Sequence, residues 1–259
     1  MSHRPNALWV YAHPASRSLN ADLYEAGTKA LAETHTVTTS DLYAQDWDPR
    51  LSQRDIAATP DVGQTFGELT REAYLAGDLP EDVRTEQRKL AEADLLVLQF
   101  PLWWYGMPAI LKGWFDRVFV NGFAFGVRDP ETGRTLKYGE GGLAGRRALV
   151  ILTAGDRLSS FGSRGLNGDI ESLLFPLLHG TFWYTGIAPL QPHLVSGTDR
   201  PDWTGYADEV DRLTTRLATI TDEDPIPYRR MRDGDYDTDR VLHRHILPNR
   251  NDLGVHLHR

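Results

Sequence analysis

The stretch FPLWWYGMPAILKGWFDRVF, Phe100–Phe119, puts two tryptophans, a tyrosine and a glycine between an apolar strand end and a helix. Polar residues are the norm in such a turn. Leu102, Trp103, Trp104 and Tyr105 instead offer an apolar wall of the kind that holds a flat heteroaromatic ligand. Gly106 permits a close backbone turn, and Pro108 suits the first turn of the helix that follows. Packing under the sheet edge is the competing reading. It fits Ile110, Leu111, Trp114, Phe115, Val118 and Phe119, whereas the pre-helix position of Trp103–Tyr105 favours a ligand platform.

Two further stretches carry chemistry. HPASRSLN, His13–Asn20, leads into a helix N-terminus, where free N–H groups and the positive dipole end suit a phosphate. Ser16, Arg17, Ser18, Asn20 and His13 add donors. A hydroxyl cap beside a surface arginine explains this loop equally well. TAGDRLSSFGSRGLNGD, Thr153–Asp169, has glycines at 155, 162, 165 and 168. Its backbone can approach a ligand closely and turn N–H groups toward a developing anion.

These loops need a scaffold. Apolar runs predict strands over Ala7–His13, Thr36–Leu42, Ala93–Phe100, Ala148–Thr153 and Ala188–Val195. Helical spacing predicts helices from Asn20, read as the cap, and over Gln64–Ala76, Glu81–Glu92, Pro108–Val120, Asp169–Thr185 and Trp203–Ile220. Apolar strands alternating with helices imply an α/β fold, a doubly wound parallel sheet. A five-stranded flavodoxin-like order is expected, with all three loops at the carboxyl ends of its strands. Residues 1–200 are read as the binding domain and 201–259 as a C-terminal helix and extended tail. Leu51–Glu92 is a long connection with two helices and a candidate subunit contact. The tail, Thr221–Arg259, is charged, rich in proline, aspartate and arginine, and expected to form little core.

Composition sets the outer bounds. The 259 residues contain no cysteine, which excludes disulfides, thiolate metal sites and a cysteine nucleophile. The net charge of −8 argues against general nucleic-acid binding. No stretch approaches ~18 uncharged apolar residues, and the polar start does not fit a signal peptide, so a cytoplasmic, soluble protein is expected. No metal site is expected: His243, His245, His256 and His258 are read as solvated surface. GEGGLAG, 139–145, precedes a strand and reads as a turn. DPETGR within Phe123–Tyr138 reads as a hairpin turn. Neither G-x-S-x-G nor an early G-x-G-x-x-G is present.

Taken together, FPLWWYGMPAILKGWFDRVF, the strand ending at His13 with Ser18 and Asn20 after it, and GLNGDIESLLFPLLHGTFWYTG from Gly165 resemble the flavodoxin-like NAD(P)H:quinone oxidoreductases. The likeness runs over roughly residues 5–200. It implies a homodimer with flavins at the subunit interface. FAD is the implied cofactor, with FMN as the alternative, NADPH or NADH the hydride donor, and a quinone or related electron-poor aromatic the acceptor in a two-electron ping-pong reaction. On matching positions, His13, Arg17, Ser18, Leu19 and Asn20 would hold the flavin phosphates. Pro101, Leu102, Trp103, Trp104 and Tyr105 would line the ring system, and Thr153, Ala154, Gly155 and Asp156 its polar edge. Phe125 and Val127 would border the substrate space.

The third loop departs from the family pattern. A tyrosine and a histidine that steady the reduced flavin in the mammalian enzyme are replaced here by Phe161 and Asn167. Phenylalanine donates no hydrogen bond, and asparagine donates without titrating. Phe161, Asn167 and Gly155 are the candidate catalytic positions, and Phe161 also borders the substrate. The same departures are compatible with a flavin-holding ancillary subunit of a membrane transport system, or with a tailoring reductase for one polycyclic substrate.

Overall fold

The computed structural model describes residues 4–56 and 63–258. Strand β1 (Asn6–Tyr11) lies beside β2 (Thr36–Asp41) on one side and β3 (Leu95–Pro101) on the other. β4 (Arg147–Ala154) follows β3, and β5 (Ala188–Pro189) and β6 (His193–Ser196) both pair with β4. Every pairing is parallel, in the order β2-β1-β3-β4-β5. The predicted last strand, Ala188–Val195, is therefore two short strands. Ala148 faces Pro189 while Ile151 faces His193, so the second strand of the pair carries one extra residue there. Pro192, which has no N–H to donate, sits in that bulge.

Alternate residues of the central strands point into two cores, as the period of a pleated strand requires. Leu8, Val10, Leu96, Leu98 and Val150 face one layer, Trp9, Val97, Leu149 and Ile151 the other. The second layer is closed by α1 (Leu19–Leu31) and α7 (Tyr206–Ala218), through Leu23, Leu31, Leu213 and Leu217. The first is closed by α3 (Glu81–Glu92), α4 (Ala109–Val118) and the segment after β4. Helix α2 (Phe66–Ala76) lies in the long connection, part of which, residues 57–62, is outside the described residues.

Polar ties lock the layers. Buried Glu86 of α3 accepts from Ser40 of β2, Trp114 of α4 and Lys89. Arg117 of α4, 1% exposed, pairs with Asp55 and Asp82, each at 2.7 Å. Satisfying a buried guanidinium on two sides is what makes its burial tolerable.

Several expectations are corrected. Ser18, not Asn20, caps α1: its Oγ accepts from the Ala21 N–H at 3.1 Å. Asn20 is one position inside the helix and buried. The predicted helix Asp169–Thr185 breaks into α5 (Ile170–Leu173), α6 (Phe175–Leu177) and a π-helical stretch, Leu178–Trp183. Pro176 cannot donate there, and Thr181 and Thr185 hydroxyls bond back to Pro176 and Thr181 carbonyls. The tail does enter the core: Ile226 and Tyr228 are buried in the first layer, and the Trp183 indole donates to the Arg229 carbonyl at 2.9 Å. His256 is half-buried against His179 and Tyr236, not solvated surface. The hairpin turn at DPETGR is present, with Arg128 bridged to Thr135.

Gly113 lets α4 press on the chain after β2. A Cβ there would lie 2.1 Å from the Pro49 carbonyl oxygen. Gly113→Ala is expected to cost about 1–3 kcal/mol by overpacking, read by denaturant unfolding. Burial pushes His179 down to about 4 and His193 down to about 3, for His193 with help from Arg212 and Arg216. Both are neutral when folded and gain a proton on unfolding below about pH 6.5. Their contribution is complete above that pH and is lost as pH falls toward their folded values. Stability should fall between pH 6.5 and 5, where most carboxylates are still ionised, by up to about 1.4 kcal/mol per pH unit per histidine. His193→Leu should flatten that slope.

Candidate functional site

The carboxyl ends of β1, β3, β4 and β6 converge on a cavity of about 300 Å³. From the first loop it takes His13, Ser18, Leu19 and Asn20, and from the second Pro101, Leu102 and Trp103. Thr153 and Gly155 come from the third. Nine of the sequence-predicted positions thus meet at one place.

A hydrogen-bond chain fixes their relative positions. The Trp9 indole donates to Gln99 Oε1 at 3.1 Å, and Gln99 Nε2 donates to the Asn20 carbonyl at 2.7 Å. Asn20 Nδ2 then donates to Thr153 Oγ1 at 2.8 Å. The first turn of α1 is thereby held to β3 and β4. Asn20 Oδ1 is buried, and no atom of the described residues donates to it. A buried acceptor left without a donor is costly.

His13 knots its own loop. Its Nδ1 accepts from the Ala15 N–H at 3.1 Å and lies 3.2 Å from Ser18 Oγ. Nδ1 also lies 3.2 Å from the Ala15 carbonyl, and the ring's tautomer decides which of these contacts it makes. The N–H groups of Leu19 and Asn20, at the start of α1, have no helical acceptor.

The second loop is a two-residue hairpin. The Trp103 N–H donates to the Gly106 carbonyl at 3.1 Å, and Gly106 returns the bond at 3.0 Å. Trp104 and Tyr105, between them, have φ of 50° and 59°. Left-handed backbone costs a non-glycine residue about 1–2 kcal/mol. The turn lifts Trp104 fully into solvent, 99% exposed, so its ring lies outside the polar cavity. Tyr105 faces the opposite side, a larger apolar cavity of about 760 Å³ that also takes Met107, Phe115, Phe119 and Phe125. The hairpin is thus the partition between a polar and an apolar cavity.

The third loop is braced by Asn167. Its Nδ2 donates to Asp156 Oδ2 at 2.8 Å and to Ser160 Oγ at 3.1 Å, and its Oδ1 accepts from the Tyr105 hydroxyl at 3.0 Å. Asn167 therefore ties the second loop to the third, with both amide protons engaged. Asp156 is held below the usual carboxylate range by the Arg157 N–H first, then by Asn167 and Ser160. Phe161 is buried, 7% exposed, and lines neither cavity. Arg17 is exposed, Ala154 is buried in β4, and half-buried Val127 packs near Gly142.

Sequence reasoning missed Thr198, Asp199 and Trp203, which complete the polar cavity. They follow β6, so the carboxyl-end rule applied to a fourth loop would have found them. Asp199 approaches so closely that a Cβ on Gly155 would lie 2.0 Å from its Oδ2. Among the described residues no helix is long and apolar enough to cross a membrane, and no cluster of three or more His, Asp or Glu is placed to hold a metal.

Thr153→Val should expose the importance of the inter-loop tie. It leaves the buried Asn20 amide without its acceptor and is expected to cost about 1–3 kcal/mol. Replacing both partners, Thr153→Val with Asn20→Leu, should recover most of that loss, since two apolar groups leave nothing unsatisfied. Paired urea melts measure both.

Comparison with known proteins follows the same geometry. The model of the flavodoxin-like fold family matches residues 5–217. Human ribosyldihydronicotinamide dehydrogenase [quinone] is 39% identical over 223 residues, covering 85% of this chain and 94% of that protein. NAD(P)H dehydrogenase [quinone] 1 of Cavia porcellus is 35% identical over 223 residues, 85% of this chain and 78% of its own length. A Klebsiella pneumoniae protein assigned as a quinone reductase has a solved structure that superposes with a TM-score of 0.91 at 39% identity, over 98% of this chain and 100% of its own. The chain belongs to the flavodoxin-like NAD(P)H:quinone oxidoreductase family.

Proposed function

We propose that this chain is a flavin-dependent oxidoreductase that moves hydride from a reduced nicotinamide to a quinone, with FAD as its flavin. The carrying observation is the convergence of four strand-end loops and a helix N-terminus on one polar cavity. Asn20, in its wall, suits a ribityl hydroxyl. The free N–H groups at the start of α1, with Ser18 and His13, suit the phosphates. Asp199 accepts hydrogen bonds from hydroxyls and repels phosphate, so it suits a sugar. A bound flavin supplies two-electron hydride acceptance and release.

The chain's own residues do the positioning. Trp103 and Leu102 wall the polar cavity, and the strained hairpin carries that wall to the border of the apolar one. Gly155 keeps the polar edge open to close backbone approach. Asn167 acts by holding Tyr105, Asp156 and Ser160 in place rather than by titrating. In this reading donor and acceptor use the apolar space by Tyr105 and Phe125 in alternation, a ping-pong order. A homodimer is part of the proposal. Trp104 at 99% exposure and Phe66 at 45%, beside a broad apolar groove, are better accounted for by a covering second copy than by bare solvent contact.

The donor has two candidates. NAD(P)H is named for the Cavia porcellus relative, and ribosyldihydronicotinamide for the human one, at higher identity. Cytoplasmic location is likewise proposed, on the absence of cysteine.

The purified protein should be yellow and should release FAD on denaturation, identified by mass. With a benzoquinone acceptor it should oxidise NADPH, NADH or dihydronicotinamide riboside, giving parallel double-reciprocal lines. Asn20→Leu should weaken FAD binding by about tenfold, the worth of one buried hydrogen bond. A colourless protein that takes up no FAD would overturn the assignment.

A further inference from the structure

A third cavity, about 220 Å³, lies where the C-terminal tail folds back on the body. It shares no lining residue with either cavity described above. Three tyrosines wall it: Tyr138 and Tyr184 from the body, and Tyr236 from the tail. Tyr138 and Tyr184 meet edge to face, with ring centroids 5.3 Å apart.

Lys137 and Arg240 also line it. Neither makes an ion pair or side-chain hydrogen bond among the described residues, and no carboxylate lines the cavity. Its third cation, Arg229, is already engaged, by Asp235 at 2.6 Å and the Val255 carbonyl at 3.0 Å. The Lys137 ammonium is pushed down by burial first and then by the charge of Arg240. Half-buried Lys137 and exposed Arg240 border one space with no carboxylate between them, and an anion there relieves their mutual repulsion. This happens on a chain of net charge −8, so the positive site runs against the overall balance.

The backbone is shaped to make the site. Tyr138 has φ of 49° and Arg240 φ of 66°. Asp237 Oδ1 accepts the N–H groups of Asp239 and Val241, and the Arg240 N–H donates to the Asp237 carbonyl. The Tyr236–Leu242 bridge closes this turn and holds Arg240 at the cavity rim. Left-handed residues that are not glycine persist where the surroundings over-determine them, commonly at ligand sites.

We infer that this cavity binds a small planar aromatic acid, its carboxylate between Lys137 and Arg240 and its ring against Tyr138, Tyr184 and Tyr236. The volume admits one ring and excludes a dinucleotide. Tyr184 also touches Phe125, ring centroids 6.5 Å apart. The bound acid is therefore separated from the apolar cavity by one aromatic layer. This assigns the tail a role: it supplies Tyr236 and Arg240, without which the site has neither its second cation nor its third wall.

Calorimetric titration of the full-length, FAD-supplemented protein with 4-hydroxybenzoate tests this. Saturable binding of one acid per chain is expected, with cyclohexanecarboxylate and inorganic phosphate at least tenfold weaker. Lys137→Met with Arg240→Met should weaken 4-hydroxybenzoate at least tenfold while the melting temperature stays near that of the parent. Arg244→Met, outside the cavity, should leave it unchanged. Absence of saturable heat, equal binding of the non-aromatic acid or phosphate, or full affinity in the double variant would each overturn the assignment.

Discussion

The hydrogen-bond chain from Trp9 through Gln99 and Asn20 to Thr153 is the constraint on which the rest of the site depends. It joins two strand interiors, a helix start and a third strand end, all within the buried part of the molecule. A parallel sheet delivers loops to one edge, but it does not fix their spacing. Here one amide side chain does so. Its amide donates to Thr153, its backbone carbonyl accepts from Gln99, and its Oδ1 is buried without a partner among the described residues. Buried polar networks rigidify a site when satisfied and are costly when not. This one is complete but for Asn20 Oδ1.

The tryptophan-rich hairpin is the second commitment. Two bulky residues in succession occupy left-handed backbone, where a sequence designed for stability alone would place asparagine and glycine. The strain is stored at the boundary between the polar and apolar cavities. It keeps Trp103 on one side, Tyr105 on the other, and Trp104 on the open face. Asn167 then fastens Tyr105 to the third loop. In a chain that has phenylalanine and asparagine at 161 and 167, that fastening is a structural use of the asparagine. Proton transfer is not asked of it.

Much of the fold was legible because its signals are local. β1, β3 and β4 are apolar runs bounded by turns, and α3 falls on Glu81–Glu92 as its periodicity predicts. The loops at the strand ends followed from topology alone. The misses have physical causes. Asn20 is a good cap residue by type, yet Ser18 takes that role because the buried Thr153 hydroxyl claims the amide. The helix after Asp169 broke because a proline and back-bonding threonines intervene, which summed helical spacing does not register. Ile226 and Tyr228 are two apolar residues in a charged tail, too few to signal a core contribution. Trp104 is set fully into solvent by the hand of a two-residue turn, which composition does not register. Asp199 and Trp203 were missed because the loop after the last predicted strand, which ends at Val195, was not read as a site loop.

The central claim is that a flavin dinucleotide lies with its phosphates at the start of α1 and a sugar or ribityl hydroxyl on Asn20. Crystals grown with FAD test it most directly. The account predicts density for the pyrophosphate against the N–H groups of Leu19 and Asn20, and a ligand hydroxyl within hydrogen-bond distance of Asn20 Oδ1. Density for FAD elsewhere, with Asn20 Oδ1 still unpartnered, would contradict it.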